Sequence, residues 1–149
     1  IVGTAASAKA YMMCIPEGTK IDTTEDNINI EKLKAGDEVI GYDGTSTTIL
    51  QKHEYKENPD SNRFLEITLN DDSKINLCDM HRIEGKRSKD YHIGDNIVDK
   101  TITDIREYGG VTRSYDLLTS DKGYQISEIP INSMIEELAS ETKKLQEAL

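Results

Sequence analysis

The chain has 149 residues, with 28 acidic against 18 basic side chains and a net charge of −10. That balance argues against a nucleic-acid partner, which needs clustered Lys and Arg. Hydrophobic residues make up 36%, with one Phe and no Trp, and mean hydropathy is −0.61. The length suits one domain burying roughly 70% of its unfolded surface, around a modest core of Ile, Leu, Val and Tyr.

No apolar run approaches the ~18–20 residues needed to span a membrane, so no membrane partner is expected. Residues 1–13 lack the charged and apolar regions of a signal peptide. The first residue is Ile1 rather than Met, so the chain is read as part of a longer protein. Two cysteines are too few for a disulfide framework, and a reducing, cytoplasmic setting is expected.

Three regimes follow one another along the chain. Residues 1–13 are Ala-rich and read as an upstream flanking segment, a short helix or a frayed arm. Residues 14–133 read as all-β. Short runs of Ile, Val, Thr and Tyr recur between turn signals at Gly36-Asp37, Asp43-Gly44, Asn70-Asp71-Asp72, Gly94-Asp95, Gly109-Gly110 and Asp121-Lys122-Gly123. Residues 134–149 switch to a helical period, with Ile135, Leu138, Leu145 and Leu149 on one face. Ser133 with Glu136 fits a capping box.

A faint duplication runs through the β region. Leu33-Lys34-Ala35-Gly36-Asp37-Glu38-Val39 resembles Tyr91-His92-Ile93-Gly94-Asp95-Asn96-Ile97, and Arg63-Phe64-Leu65-Glu66-Ile67-Thr68 resembles Ser114-Tyr115-Asp116-Leu117-Leu118-Thr119. Two matches in the same order predict a pseudo-twofold β fold.

Cys14 stands where the Ala-rich lead-in meets the Pro16/Gly18 turn. A thiol there can attack the carbonyl of Met13 and turn the peptide bond into a thioester. The alternative is a small buried hydrophobe, and a free thiol is only a few per cent thiolate at neutral pH. His81, in Leu77-Cys78-Asp79-Met80-His81-Arg82-Ile83, is the candidate proton donor to the departing Cys14 nitrogen. Its competing reading is a surface histidine beside Asp79 and Arg82. Cys78 could exchange a weak hydrogen bond in the same place. His53 and His92 are read as surface residues. A Cys78/His81 metal site lacks the second ligand pair of a structural zinc, so neither metal nor cofactor is expected.

Cys14-Ile15-Pro16-Glu17-Gly18-Thr19-Lys20-Ile21, followed by Leu33 to Val39, resembles the opening of Hint domains, the hedgehog and intein self-processing module. Leu77 to Ile83 resembles that family's Thr-x-x-His motif, with Cys78 in place of Thr. Tyr115-Asp116-Leu117 looks like the late motif whose Asp assists the later steps. Tyr124 to Ser133 resembles the terminal strand pair, which normally closes on His-Asn. The resemblance spans residues 14–133 and implies a horseshoe-shaped, pseudo-symmetric all-β fold with a short C-terminal helix added. It also implies autocatalytic, single-turnover chemistry on the chain's own flanking polypeptide.

The C-terminal motif departs from the pattern. Aligning Ser127-Glu128 with the family's Asn-Gly turn puts Asn132 at the His position and Ser133 at the Asn position. Ser133 cannot form a succinimide, so splicing would be lost. A one-residue slip makes Asn132 the cyclising residue and Ser133 the acceptor, with Ile131 where His should be. The first register needs no gap and is preferred.

The leading expectation is an N-to-S acyl shift at Met13-Cys14, resolved by water or a small thiol, with Asp116 as a positioning carboxylate. Complete mini-intein splicing through Asn132 and Ser133 is the second reading. An inactive structural module within a larger protein is the third.

Overall fold

A computed structural model describes residues 13–148. The helix-or-arm reading of the Ala-rich segment falls on residues 1–12 and lies outside the described residues. The strands begin with β1 (Ile15–Pro16), β2 (Lys20–Ile21), β3 (Ile28–Asn29), β4 (Glu38–Ile40) and the long β5 (Ser46–Lys56). Next come β6 (Phe64–Leu69), β7 (Lys74–Cys78), β8 (Arg82–Ile83), β9 (Lys86–Arg87) and β10 (Asn96–Ile97). The chain closes with β11 (Lys100–Tyr108), β12 (Arg113–Thr119), β13 (Gly123–Ile126), β14 (Ile129–Asn132) and one helix, α1 (Ile135–Ala148). The all-β expectation with a C-terminal helix is the fold found. No helix among the described residues is long and apolar enough to cross a membrane.

The duplication is visible bond by bond. A 3-10 turn at Ile30–Lys32 and another at Ser88–Asp90 end in Leu33 and Tyr91, both extended at φ −83°, ψ 151° and φ −87°, ψ 149°. Each is followed by the same corner. The Asp37 carboxylate accepts the Lys34 N–H and Asp95 accepts the His92 N–H. The Gly36 and Gly94 amides then donate to the Ile49 and Ile102 carbonyls. Each half's long strand pairs with a hairpin strand of the other half, β5 with β12 and β11 with β6. That exchange interleaves the halves and buries an Ile-rich core, including Ile15, Ile49, Ile67, Ile75, Ile83 and Ile131.

The structure corrects the register of the second repeat by one residue. The turns after β6 and β12 each carry a left-handed residue, Asp72 at φ 68° and Lys122 at φ 67°. Their N–H groups donate to Leu69 and Thr119 respectively. Counting back from those turns, Phe64 answers to Ser114 and Glu66 to Asp116. Side-chain likeness sets Phe64 against Tyr115 because both carry aromatic rings, whereas turn geometry fixes the register.

Gly36 and Gly94 sit at φ 96° and 95°, with nothing within 4 Å of where a Cβ would stand. Alanine at either position therefore meets only the backbone penalty of positive φ, roughly 1–2 kcal/mol. Equal losses in urea denaturation are expected for Gly36→Ala and Gly94→Ala. A clear inequality would contradict the equivalence of the two corners. Gly123 is different, since a Cβ there would lie 2.6 Å from Tyr42 Cδ2 and 2.7 Å from the Ile131 carbonyl oxygen.

The hairpin β13–β14 turns on Ser127 and Glu128, both at positive φ, 53° and 66°, the type I′ geometry usually given to Asn-Gly. Tertiary bonds hold these less suited residues in place. Asp22 Oδ2 accepts the Glu128 N–H, Ser127 Oγ donates to the Lys74 carbonyl, and Lys100 Nζ donates to the Ser127 carbonyl. The hairpin thereby carries Asn132 to the start of β8, where Ile131 pairs with Ile83.

Candidate active site

Cys14 precedes β1 and lies along the end of β7. Its N–H donates to Cys78 Sγ at 2.7 Å, and its carbonyl accepts the Cys78 N–H at 3.0 Å. The Cys14 thiol points toward Glu57 Oε2, 3.6 Å away. Cys14 and Cys78 are not joined in a disulfide and both are buried, with Phe64 beside them and Tyr55, Tyr108 and Val111 packed around. Burial, with the Cys14 side chain next, pushes the Cys78 thiol well above its ordinary value. Cys78 therefore carries its proton at neutral pH.

Three residues beyond Cys78, a tight turn places His81. Its N–H donates to the Cys78 carbonyl at 3.2 Å, and the Ser88 hydroxyl donates to the same carbonyl at 2.7 Å. His81 has no exposed surface, so the surface-histidine alternative is removed. Its Nε2 lies 2.7 Å from the Asn132 carbonyl oxygen; since that oxygen can only accept, the network assigns the proton to Nε2. Nδ1 has no hydrogen-bond partner among the described residues. Burial pulls the ring down to about 4, against smaller opposing contributions that include the Asn132 and Met13 backbones.

The C-terminal segment threads past the same imidazole. Asn132 Oδ1 accepts the Gly85 N–H at 2.7 Å, and its side chain also bonds Tyr42. The Ser133 N–H donates to the Lys122 carbonyl at 3.0 Å, and the Met134 N–H donates to Asp116 Oδ2 at 2.6 Å. Asp116 is 1% exposed. Its Oδ1 accepts the Tyr124 hydroxyl at 2.6 Å and the Leu117 N–H at 2.8 Å. Desolvation raises its carboxyl to about 7 despite those three donors, which favour the charged form.

Cys14, Cys78 and His81 are thus linked to one another, and Asn132 and Asp116 join them through the C-terminal strand. Where the sequence suggests His81 at the Cys14 nitrogen, that N–H meets Cys78 Sγ, and His81 meets Asn132.

The capping box is corrected. The Met134 carbonyl accepts the first helical bond, from Leu138, so Met134 is the N-cap and Glu136 falls one position too early. Among the described residues, Ser133 Oγ is buried without a hydrogen-bond partner. Ser133→Ala is therefore expected to change unfolding free energy by less than about 0.5 kcal/mol, since no bond is lost; a loss near 1 kcal/mol in urea denaturation would restore the cap. The first turn of α1 is held instead by ion pairs from Glu137 to Arg82 at 3.0 Å and to Arg87 at 2.7 Å.

His53 is also corrected. It is half-buried, pairs across strands with Asp116, and sits 3.0 Å from the Tyr55 hydroxyl through Nδ1. His92 is exposed as expected. Residues missed in the sequence are Glu57, Ser114, Tyr55 and Tyr124. Tyr124 carried a signal only as the start of the segment that resembles the terminal strand pair, and Ser114 only as the start of the duplicated segment. Among the described residues no group of three or more His, Cys, Asp or Glu is placed to hold a metal ion.

No protein-family profile matches the chain, and no curated protein matches it. Solved structures do. A bacterial intein-like domain from Clostridium thermocellum superposes with TM-score 0.68 at 16% identity, over 82% of this chain and 99% of that one. A DnaB intein from Synechocystis sp. PCC 6803 gives TM-score 0.68 at 15% identity, over 80% and 97%. The gp41-1 intein gives 0.66 at 18% identity, over 80% and 98%. The interleaved, duplicated β architecture of this chain is therefore the Hint fold of intein-like domains.

Proposed function

We propose that residues 14–133 form a self-processing unit acting on its own flanking polypeptide, with residues 1–13 as upstream flank and the helical segment 134–149 as an appendage. Cys14 Sγ attacks the Met13 carbonyl carbon. A C–S bond forms, the C–N bond breaks, and the Met13 acyl group passes to sulfur. The observation that carries this reading is the setting of the Cys14 amide. Its nitrogen sits 2.7 Å from a thiol that burial keeps protonated, and the Met13 backbone is near enough to His81 to favour the charged ring slightly.

His81 is neutral at rest. An oxyanion developing on Met13 would raise its proton affinity, which makes the ring a proton carrier matched to the step. Cys78 is the other carrier, already at the leaving nitrogen. Water or a small thiol then resolves the thioester and cuts the chain before Cys14. A reducing setting keeps both thiols in the required form.

Intact-mass spectrometry with and without dithiothreitol or hydroxylamine tests this. Release of a fragment ending at Met13 is expected, because such nucleophiles intercept a thioester and leave an amide untouched. Unchanged mass after long incubation would instead mark an inactive structural module.

Splicing is the second reading, and two observations favour keeping it. The His81 Nε2–H already holds the Asn132 carbonyl, where cyclisation would build negative charge, and Ser133 Oγ has no hydrogen-bond partner among the described residues. Against it, the Asn132 amide group is held by Gly85 and Tyr42 and must leave both to attack its own carbonyl. Cleavage before Cys14 is therefore the favoured outcome. A ligated product joining Met13 to Ser133 would reverse that choice.

A further inference from the structure

We propose that Glu57 is the base that takes the Cys14 thiol proton, held in position by Ser114; this rests on the thioester reading above. Glu57 is the first residue beyond β5, and its N–H is fixed to the Thr112 carbonyl at 2.9 Å. Its Oε2 lies 3.6 Å from Cys14 Sγ, a donor distance suited to sulfur, and 2.6 Å from Ser114 Oγ. Ser114 is fully buried on β12. Its hydroxyl commits its proton to that oxygen, which holds the carboxylate beside the thiol. A carboxylate is acceptor-only, so in this contact the thiol donates and Oε2 accepts.

The S–H proton passes to Glu57 Oε2 as the sulfur electron pair forms the C–S bond with Met13. The carbonyl π pair moves onto oxygen. On collapse the C=O bond reforms and the C–N pair leaves with nitrogen, which takes a proton from the Cys78 thiol it already meets. Glu57 then gives up its proton and the Cys78 sulfur is reprotonated by way of His81, the other carrier at this site, so no proton is gained or lost. The titratable groups facing this site are Tyr55 on β5, Cys78 on β7, Asp116 on β12 and Tyr124 on β13, and the field of the acidic groups, Glu57 included, adds to burial in keeping the Tyr55 phenol protonated.

The test uses the full chain and two readouts. The first is the rate of dithiothreitol-induced cleavage before Cys14. Glu57→Gln keeps the shape and removes the base, and is expected to slow cleavage by about 10²-fold. Ser114→Ala is expected to slow it by about tenfold, with Ser114→Thr, which keeps the hydroxyl, restoring most of the rate. A merely structural serine would not be rescued selectively by another hydroxyl.

The second readout is the infrared S–H stretch of Cys14, assigned by its loss in Cys14→Ala. A thiol bonded to a carboxylate absorbs at lower frequency, so Glu57→Gln should move the band upward. Cleavage of Glu57→Gln at the wild-type rate, or an unmoved band, overturns the proposal. If the wild-type chain does not cleave at all, the self-processing reading fails separately. The band alone then decides whether Glu57 holds the thiol proton.

Discussion

Cys14→Ala is expected to abolish any dithiothreitol-induced release of a fragment ending at Met13, and His81→Ala to slow it by roughly 10²–10⁴-fold, the range typical of a lost general acid or base. The first effect is absolute because alanine offers no atom to form the thioester. The second is partial because Cys78 still meets the Cys14 nitrogen at 2.7 Å. Replacing His81 also frees the Asn132 carbonyl from its 2.7 Å bond. His81→Gln, which can still donate to that carbonyl, separates the two roles. If His81→Gln cleaves like His81→Ala, the proton-carrying role accounts for the loss. If it cleaves like the wild type, holding Asn132 was the whole contribution. The measurement is intact mass against time at fixed thiol concentration. Wild-type rates in His81→Ala would remove the imidazole from the mechanism.

Cys14 and His81 stand out in the sequence because each sits in a short motif beside a turn, whereas Asp116, in the middle of β12, was singled out only by the family resemblance. The fold follows those motifs to their meeting point. The duplication was legible for a similar reason, since Gly36-Asp37 and Gly94-Asp95 carry a backbone requirement that few residues meet.

The errors share one cause. Side-chain likeness pairs Phe64 with Tyr115, although the left-handed Asp72 and Lys122 fix the register one residue away. Local sequence offers Ser133 as a cap, but the carboxylate of Asp116, brought in by tertiary structure, takes the Met134 N–H instead. Glu57 left no trace in sequence at all. Its role depends on Cys14 and Ser114 reaching it from β1 and β12, and long-range convergence of that kind has no local pattern.

Asp116→Ala is expected to cost roughly 3–5 kcal/mol, because it strands three buried donors whose loss of partner costs about 1–3 kcal/mol each and is not fully additive. Those donors are the Tyr124 hydroxyl, the Leu117 N–H and the Met134 N–H. Asp116→Asn should cost less, since an amide oxygen still serves Tyr124 and Leu117 while the NH₂ faces the Met134 N–H, donor against donor. The two variants also differ from the wild type in pH dependence.

Burial raises the Asp116 carboxyl to about 7 from 3.8, so between those values the folded state binds more protons than the unfolded chain. Its contribution is then complete below pH 3.8 and is lost as pH rises through 7, a swing on the order of 4 kcal/mol. His81 works in the opposite direction. Its folded value of about 4 lies below 6.5, so its contribution is complete above pH 6.5 and is lost as pH falls toward 4. The two partly cancel in the wild type, which should show a flat profile between about pH 4 and 7. Removing one exposes the other: Asp116→Asn should gain stability steadily with pH across this window, and His81→Gln should lose it. Urea midpoints at half-unit pH steps measure both slopes. Parallel curves for wild type and Asp116→Asn would mean that the buried carboxyl titrates as it does in the unfolded chain, and that its three donors offset the whole cost of burial.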